Sequence, residues 1–436
     1  MGRVVIIFYQ ILILLYLIFS KEIDSFGLVI IYFSLLFMYL SNNLGKPFYF
    51  LLKPSKLILL FVTLNFALGT YAFLKGYYLR GHIANFELYN QFEYIRFANI
   101  YFVFSLLLLF IISNFRLIAE TKIKNITIGS KKLIYPYLGL FLLFTILGKE
   151  SNIISVLLLA IMIATVQNLS NIKNRKTRFL SYALLVIFYS VFAYDDKRNV
   201  LIVIFSMLLF EIDYRSLVRP RTFIIFIFSG FTLMFLIVCL TILRGYDGFD
   251  LIEDWQSFPA YLWTFARNKE VLSWLFHTSE TYTTYFHSVR AIEHTISSGN
   301  YLYGSTLAKA ILVPLPSFLI EKPWSIIDHY TFALYPDFRA RGGALAPNAF
   351  GEFYMNFGIL GSLMLSFLMF VFDLIYVRLF RTGLAQYAAF WFIAYLLFYV
   401  RGSGLDLYLA YVYPSLMFAV FLVILKSKKY VRSSYC

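Results

Sequence analysis

Residues 97–115 read FANIYFVFSLLLLFIISNF, a run without a single Asp, Glu, Lys or Arg. At 1.5 Å of rise per residue a helix of this length crosses the hydrocarbon core of a bilayer. Working outward, comparable runs are expected near 4–20, 26–41, 57–74, 133–147, 153–167, 179–194, 200–212, 222–243, 348–376, 384–400 and 405–425. Segments of alternating polar and apolar residues, the mark of a membrane β-barrel, are missing. Backbone groups in lipid must find partners within their own segment, so the reading is an all-α integral membrane protein of about twelve helices.

Composition agrees. The chain is 61% hydrophobic and 14% charged, with mean hydropathy +0.74, far from the soluble range. Its net charge of +15 does not point to nucleic acid, because the cations sit in short loops between apolar runs. Cys239 lies inside an expected span and Cys436 is the last residue, which implies neither a disulfide framework nor a metal site. Met1-Gly2-Arg3 leads directly into an apolar run with no small-residue cleavage site and no myristoylation signal, so the first helix is expected to be retained.

Cations mark alternate loops: Arg3; Lys46, Lys53 and Lys56; Arg116 to Lys132; Lys173 to Arg178; Arg215 to Arg221; Arg378 and Arg381; and Lys426 to Arg432. The positive-inside rule then puts both termini in the cytoplasm. The chain divides into a bundle over 1–243, a large outward loop over 244–347, and three further spans with a cytoplasmic tail over 348–436. A shorter outward segment, 75–96, is rich in Tyr and Phe.

The large loop is the most polar part of the chain, and long ordered insertions are usually functional. Within it, 279–297 has helical periodicity, with Tyr282, Phe286, Val289, Ile292 and Ile296 on one face and Glu280, Thr284, His287 and His294 on another. The polar face is expected to be wet. Residues 252–266 read as a helix on the membrane surface. The apolar stretch 310–320, broken by Pro314 and Pro316, is too short to span and is expected to dip into the interface.

Arginines recur where spans meet the outward surface: Arg198, Arg244, Arg339, Arg341 and Arg401, often beside glycine. One interfacial arginine can simply snorkel to headgroups. As a group on the face that disfavours cations, they suit a phosphate-bearing ligand, because the guanidinium presents a planar fork of donors. After Pro347, residues Asn348, Glu352 and Asn356 follow at helical spacing and draw a polar stripe into an apolar helix. Gly351, Gly358 and Gly361 offer positions for close packing. Glu352 could be a general base or the partner of one of the arginines. His287, Glu280 and His294 are the other candidate bases. No HExxH, close His/Cys spacing, Asp-x-Asp pair or phosphate loop is present, which argues against zinc and against a nucleotide site.

The run from Gly342 through Pro347-Asn348, Gly351-Glu352, Tyr354, Asn356 and Gly358 to Gly361 resembles the late-chain signature of the O-antigen, or oligosaccharide repeat-unit, polymerases (Wzy-type). Lys197-Arg198 at the outer end of a middle span and a long loop opening after Arg244 add to the likeness. The Arg-x10-Gly spacing of some members is absent, since Trp255 stands in the glycine position after Arg244. The resemblance implies a bundle like the membrane-embedded (GT-C-like) glycosyltransferases in the bacterial inner membrane. Its substrates would be undecaprenyl-pyrophosphate-linked oligosaccharides, donor and acceptor, joined at the periplasmic face. It further implies Arg198, Arg244, Arg339, Arg341, Arg401 and Asn348 as pyrophosphate-binding residues, and Glu352, His287 or Glu280 as catalytic base. No metal or other cofactor is expected. Membrane lipids and a chain-length regulator protein are the implied partners.

Two other readings share this architecture: an O-antigen ligase, and a flippase for the same lipid-linked oligosaccharide. Transporters place binding residues near the midplane in paired halves, whereas here the unusual residues gather at one surface. A membrane acyltransferase lacks its histidine buried in an apolar helix.

Overall fold

The computed structural model describes residues 2–20, 24–75, 92–115, 172–192, 217–221, 283–315, 318–381 and 399–410, together with a few isolated positions. The spans expected at 133–147, 153–167, 200–212, 222–243, 384–400 and 405–425 lie wholly or largely outside these residues. So do most of the 75–96 and 252–266 segments.

What is described is helical. The helices are α1 (Arg3–Phe19), α2 (Ser25–Asn43), α3 (Phe48–Leu51), α4 (Pro54–Lys75), α5 (Phe92–Ser113), α6 (Arg175–Phe192), α7 (Thr283–Ser298), α8 (Ser305–Leu312), α9 (Ile326–Leu334), α10 (Pro336–Ala340), α11 (Ala349–Phe357) and α12 (Gly361–Arg381). The one β contact among the described residues is an isolated bridge between Pro47 and Leu217. Four stretches are long and apolar enough to cross a membrane: Ser25–Asn43, Pro54–Lys75, Tyr94–Ser113 and Ala349–Arg378. The first three match the expected runs at 26–41, 57–74 and 97–115. The last joins α11 to α12 through the short 3-10 turn Gly358–Leu360 and matches the run at 348–376. The chain is therefore an all-α membrane protein. Apolar side chains on the bundle's outside, such as Phe33 and Phe37 of α2 and Phe367 and Leu374 of α12, are left exposed, as lipid-facing residues are.

An aromatic knot sits where α2, α4, α5, α7 and α11 meet. Phe66 stacks on Phe102 at 4.4 Å between centroids and meets Tyr32, Tyr285 and Phe350 edge-on at 5.4–5.6 Å. Polar bonds cross the same core. Asn99 accepts from Tyr32 and donates to Tyr285, linking α2, α5 and α7. Ser105 of α5 shares a hydrogen bond with Ser362 of α12 at 2.7 Å. Each such contact between helices in lipid contributes on the order of 1 kcal/mol.

The helix expected over 279–297 is present as α7, but its surroundings differ from the expectation. It is packed inside the bundle against α4, α5 and α11. Thr284 and His287, assigned to a wet face, are 2% and 5% exposed. Burial is possible because the helix hydroxyls are satisfied by their own backbone: Ser288 donates to the Thr284 carbonyl at 2.7 Å and Thr295 to the Ala291 carbonyl at 2.8 Å. Gly69 of α4 makes room for the approach, since a Cβ there would stand 2.6 Å from that of Tyr285. Residues 310–315 and 318–320 are not among the helices long and apolar enough to cross a membrane. They leave Ile311, Phe318 and Leu319 exposed as an apolar edge.

Candidate functional site

The site is organised by the start of α11. Asn348 is its N-cap: the side-chain oxygen accepts from the Phe350 and Gly351 amides at 2.9 and 3.2 Å, and the Asn348 amide donates to Ser288 Oγ of α7 at 3.1 Å. Pro347 just outside the helix ends the extended segment before it. Gly351 faces α7 so closely that a Cβ would fall 3.1 Å from Ser288 Cα and 2.5 Å from Pro347 Cβ. The glycine is thus required by helix contact, the packing role open to it in the sequence. Asn348 itself is fully buried, and its Nδ2 has no hydrogen-bond partner among the described residues.

One turn on, Glu352 is 1% exposed. Its Oε2 accepts the backbone N–H of Leu405 at 3.3 Å. Its Oε1 is buried without a hydrogen-bond partner among the described residues, with Thr306 and Asp406 alongside. A further turn on, Asn356 donates to Thr306 Oγ1 and to the Glu352 carbonyl, both at 2.8 Å, and accepts from the Gly304 amide at 3.0 Å. The polar stripe Asn348–Glu352–Asn356 read from the spacing therefore exists and faces α7, the Gly304–Thr306 turn and the 402–406 segment.

That segment reaches the site because of Gly402. It has φ 111 and ψ 37, in a region where side chains are strained. A Cβ there would also lie 2.8 Å from the Ala346 carbonyl oxygen. The 401–404 loop expected at the outward surface is thus docked directly on Ala346-Pro347. The side chain of Arg401 lies outside the described residues, as do Arg198, Arg244 and Glu280.

Charged residues continue from the carboxylates outward. Lys309 Nζ of α8 stands 3.6 Å from Asp406 Oδ2 and 3.6 Å from Asp328 Oδ2. Asp328 in turn pairs with Arg339, whose Nη1 also donates to the Gly343 carbonyl at 3.3 Å. Asp328 completes a capping box with Ser325 at the start of α9. Burial works to raise the Asp328 carboxyl, but the Ser325 hydrogen bonds and the Lys309 and Arg339 charges outweigh it and hold it below the ordinary aspartate range. Among the described side chains Glu352 has no arginine partner. Arg339 is held by Asp328 instead. Arg341 is exposed, and its Nε donates to the Asp337 carbonyl at 3.2 Å.

His287 is buried on the side of α7 that faces α9. Its Nδ1 is hydrogen-bonded to Tyr330 Oη at 2.9 Å. Tyr330 packs with Ala291, Ile326, Ala346 and Met355. Burial keeps its phenol well above the usual range and so protonated. Nearby, Arg290 bridges to Glu293 at 2.7 Å. Burial pushes both His294 and His329 below the ordinary histidine value, helped by Arg290 and Lys309 respectively.

Asn348 and Glu352 of α11 and His287 of α7 thus lie on two packed helices, and Glu352 adjoins Asp406, from which Lys309 and Asp328 lead to Arg339. The reading of the sequence missed Lys309, Asp328 and Asp406. Asp406 carried a usable signal, because an acid at the mouth of an apolar run is a functional candidate by default. Among the described residues no group of three or more His, Cys, Asp or Glu is close enough to hold a metal ion. No family model, curated protein or solved structure matches the chain.

Proposed function

We propose that the protein is a polymerase of undecaprenyl-pyrophosphate-linked oligosaccharide repeat units, acting at the periplasmic face of a bacterial inner membrane. In this reading it has about twelve spans in a GT-C-like bundle, with both termini cytoplasmic, as the alternation of cationic loops requires. The observation that carries the reading is Glu352: a buried carboxylate at the head of a membrane helix, one of whose oxygens has no hydrogen-bond partner among the described residues, next to the Lys309–Asp328–Arg339 network on helices that precede the span.

The chemistry follows from that placement. The growing glycan leaves its lipid pyrophosphate as the anomeric carbon–oxygen bond breaks, and a hydroxyl of the incoming unit forms the new bond. Charge developing on the pyrophosphate is stabilised by fixed cations, Arg339 and Lys309 with Arg244, Arg341, Arg198 and Arg401. The acceptor proton passes to a base, with Glu352 first and His287 second. Deletion in the native host followed by glycan-ladder analysis tests this. A polymerase null leaves a single repeat unit on the lipid core; complete absence of glycan there identifies a ligase, and units trapped inside identify a flippase.

A further inference from the structure

At the end of α12 remote from Glu352, a second polar cluster is built into the bundle. Asp373 lies 21 positions beyond Glu352, or roughly 30 Å along a helix. Both its oxygens are taken by Ser55 at the start of α4, which donates through its amide at 3.0 Å and its hydroxyl at 2.6 Å. Lys53 and Lys56 stand near this acid, and Lys46 and the exposed Arg3, which donates to the Asn114 carbonyl at 3.2 Å, stand near enough to those lysines to repel them.

These are not ordinary loop cations. Lys53 and Lys56 are each 2% exposed, and their ammonium groups sit 5.5 and 5.7 Å from the centre of the same Phe50 ring. Lys56 donates to Asn43 Oδ1 at 2.8 Å and Lys53 to the Phe115 carbonyl at 3.3 Å. The Lys46 ammonium is buried with no hydrogen-bond partner among the described residues. None of the three is ion-paired to a carboxylate among those residues. Burial, then Arg3 and Lys53, bring Lys46 down to about 8. Clustered, desolvated ammonium groups with so few acceptors are costly unless an anion completes them. Around the cluster Leu44, Phe115 and Leu217 are exposed, so an apolar rim surrounds a cationic centre.

We infer that Lys46, Lys53, Lys56 and Arg3 form a binding site for a phosphate group, either an anionic lipid headgroup with its chains on the Leu44–Phe115–Leu217 rim or free phosphate. Phosphate oxygens would supply the acceptors these ammonium groups lack. The site is separate from the one around Glu352 and independent of the proposed reaction.

Full-length protein in a neutral detergent tests it. Its thermal midpoint, followed by tryptophan fluorescence, is measured with phosphatidylglycerol, with phosphatidylcholine, and with inorganic phosphate at constant ionic strength. Phosphatidylglycerol alone raising the midpoint supports the headgroup; inorganic phosphate raising it equally supports the free anion. In either case Lys46→Gln should require about tenfold more of the effective anion, and Arg221→Gln, an exposed cation on the neighbouring segment, should respond as wild type. No shift with either anion, or an unchanged response in Lys46→Gln, overturns the site. Native mass spectrometry of the wild-type protein needs no variant. Phosphatidylglycerol adducts no more abundant than phosphatidylcholine adducts, with no phosphate adduct, overturn it too.

Discussion

Glu352 accepts the backbone N–H of Leu405 at 3.3 Å, across 53 positions of sequence. The bond ties the head of α11 to the segment that Gly402 folds onto Ala346-Pro347. It also engages only one carboxylate oxygen and leaves the other facing Thr306 and Asp406. A carboxylate serving structure alone would usually have both oxygens satisfied. The half-satisfied one is the group to test first.

Glu352→Gln keeps the shape and can still accept from Leu405, but cannot take a proton. The expected outcome is loss of polymer by about 100-fold or more, as for removal of a general base, with protein level and lipid-linked donor binding retained. Asp406→Asn, which leaves Glu352 in place, should lower turnover less. Full activity of Glu352→Gln would move the base to His287, and His287→Gln then becomes the variant to lose turnover. Loss of protein along with activity would make Glu352 a structural group.

Asn348 serves as cap, as partner of Ser288 and as a candidate ligand. Asn348→Ala removes a cap that accepts two amides and should cost about 1 kcal/mol or somewhat more. Asn348→Asp retains the capping oxygen and exchanges Nδ2 for a carboxylate oxygen, whose buried charge the N-terminus of α11 offsets. Thermal unfolding should therefore show a lowered midpoint for the alanine variant and near wild-type stability for aspartate. If donor binding by Asn348→Asp also matches wild type, Nδ2 has no role in the site.

Much of this was legible from spacing. Four of the expected membrane runs, the helix after Pro347 and the Asn348–Glu352–Asn356 stripe follow from apolar length and a period of 3.6, both local properties. What was not legible depends on contacts between distant segments. The polar face of α7 reads as solvent-exposed, yet Thr284 and His287 are buried, because hydroxyl-to-carbonyl bonds within the helix and the Tyr330 contact satisfy what water otherwise would. The pairing of Arg339 with Asp328, rather than with Glu352, depends on how α9 and α10 are turned against α11, which no periodicity encodes. Asp373 and Asp406 stood visibly in apolar runs. Their partners Ser55 and Lys309, hundreds and nearly a hundred positions away, did not.

His294 and His329 give a pH dependence with a defined sign. Both are held below the ordinary value of 6.5, so the unfolded chain takes up protons first as the medium is acidified. Their contribution to stability is complete above 6.5 and falls as pH drops from there through their folded values. Asp328, held low, keeps its charge until well below this window, its own contribution fading only under the ordinary aspartate value of 3.8. The thermal midpoint should therefore decline between about pH 7 and pH 5, and the double variant His294→Gln/His329→Gln should flatten that decline. An equally steep decline in the double variant would place the titrating groups elsewhere.

The arginines and the question of metal belong to one experiment. Arg341 is exposed and contributes only a bond to the Asp337 carbonyl, so Arg341→Ala should leave protein level near normal. If the proposed pyrophosphate contact exists, that variant loses polymer and raises the donor concentration needed for half-maximal rate. Lysine should restore little of either, because a point charge replaces a planar fork of donors. Arg244→Ala is expected to behave the same way. Arg339 differs, since Asp328 holds it: Arg339→Ala should lower stability as well as activity, and Asp328→Asn should reproduce the loss of stability. With cations stabilising the leaving pyrophosphate, purified protein given lipid-linked repeat units should polymerise in EDTA. Loss of activity in EDTA restored by magnesium would contradict the arginine account. Full polymer from both Arg244→Ala and Arg341→Ala would reduce them to interfacial anchors.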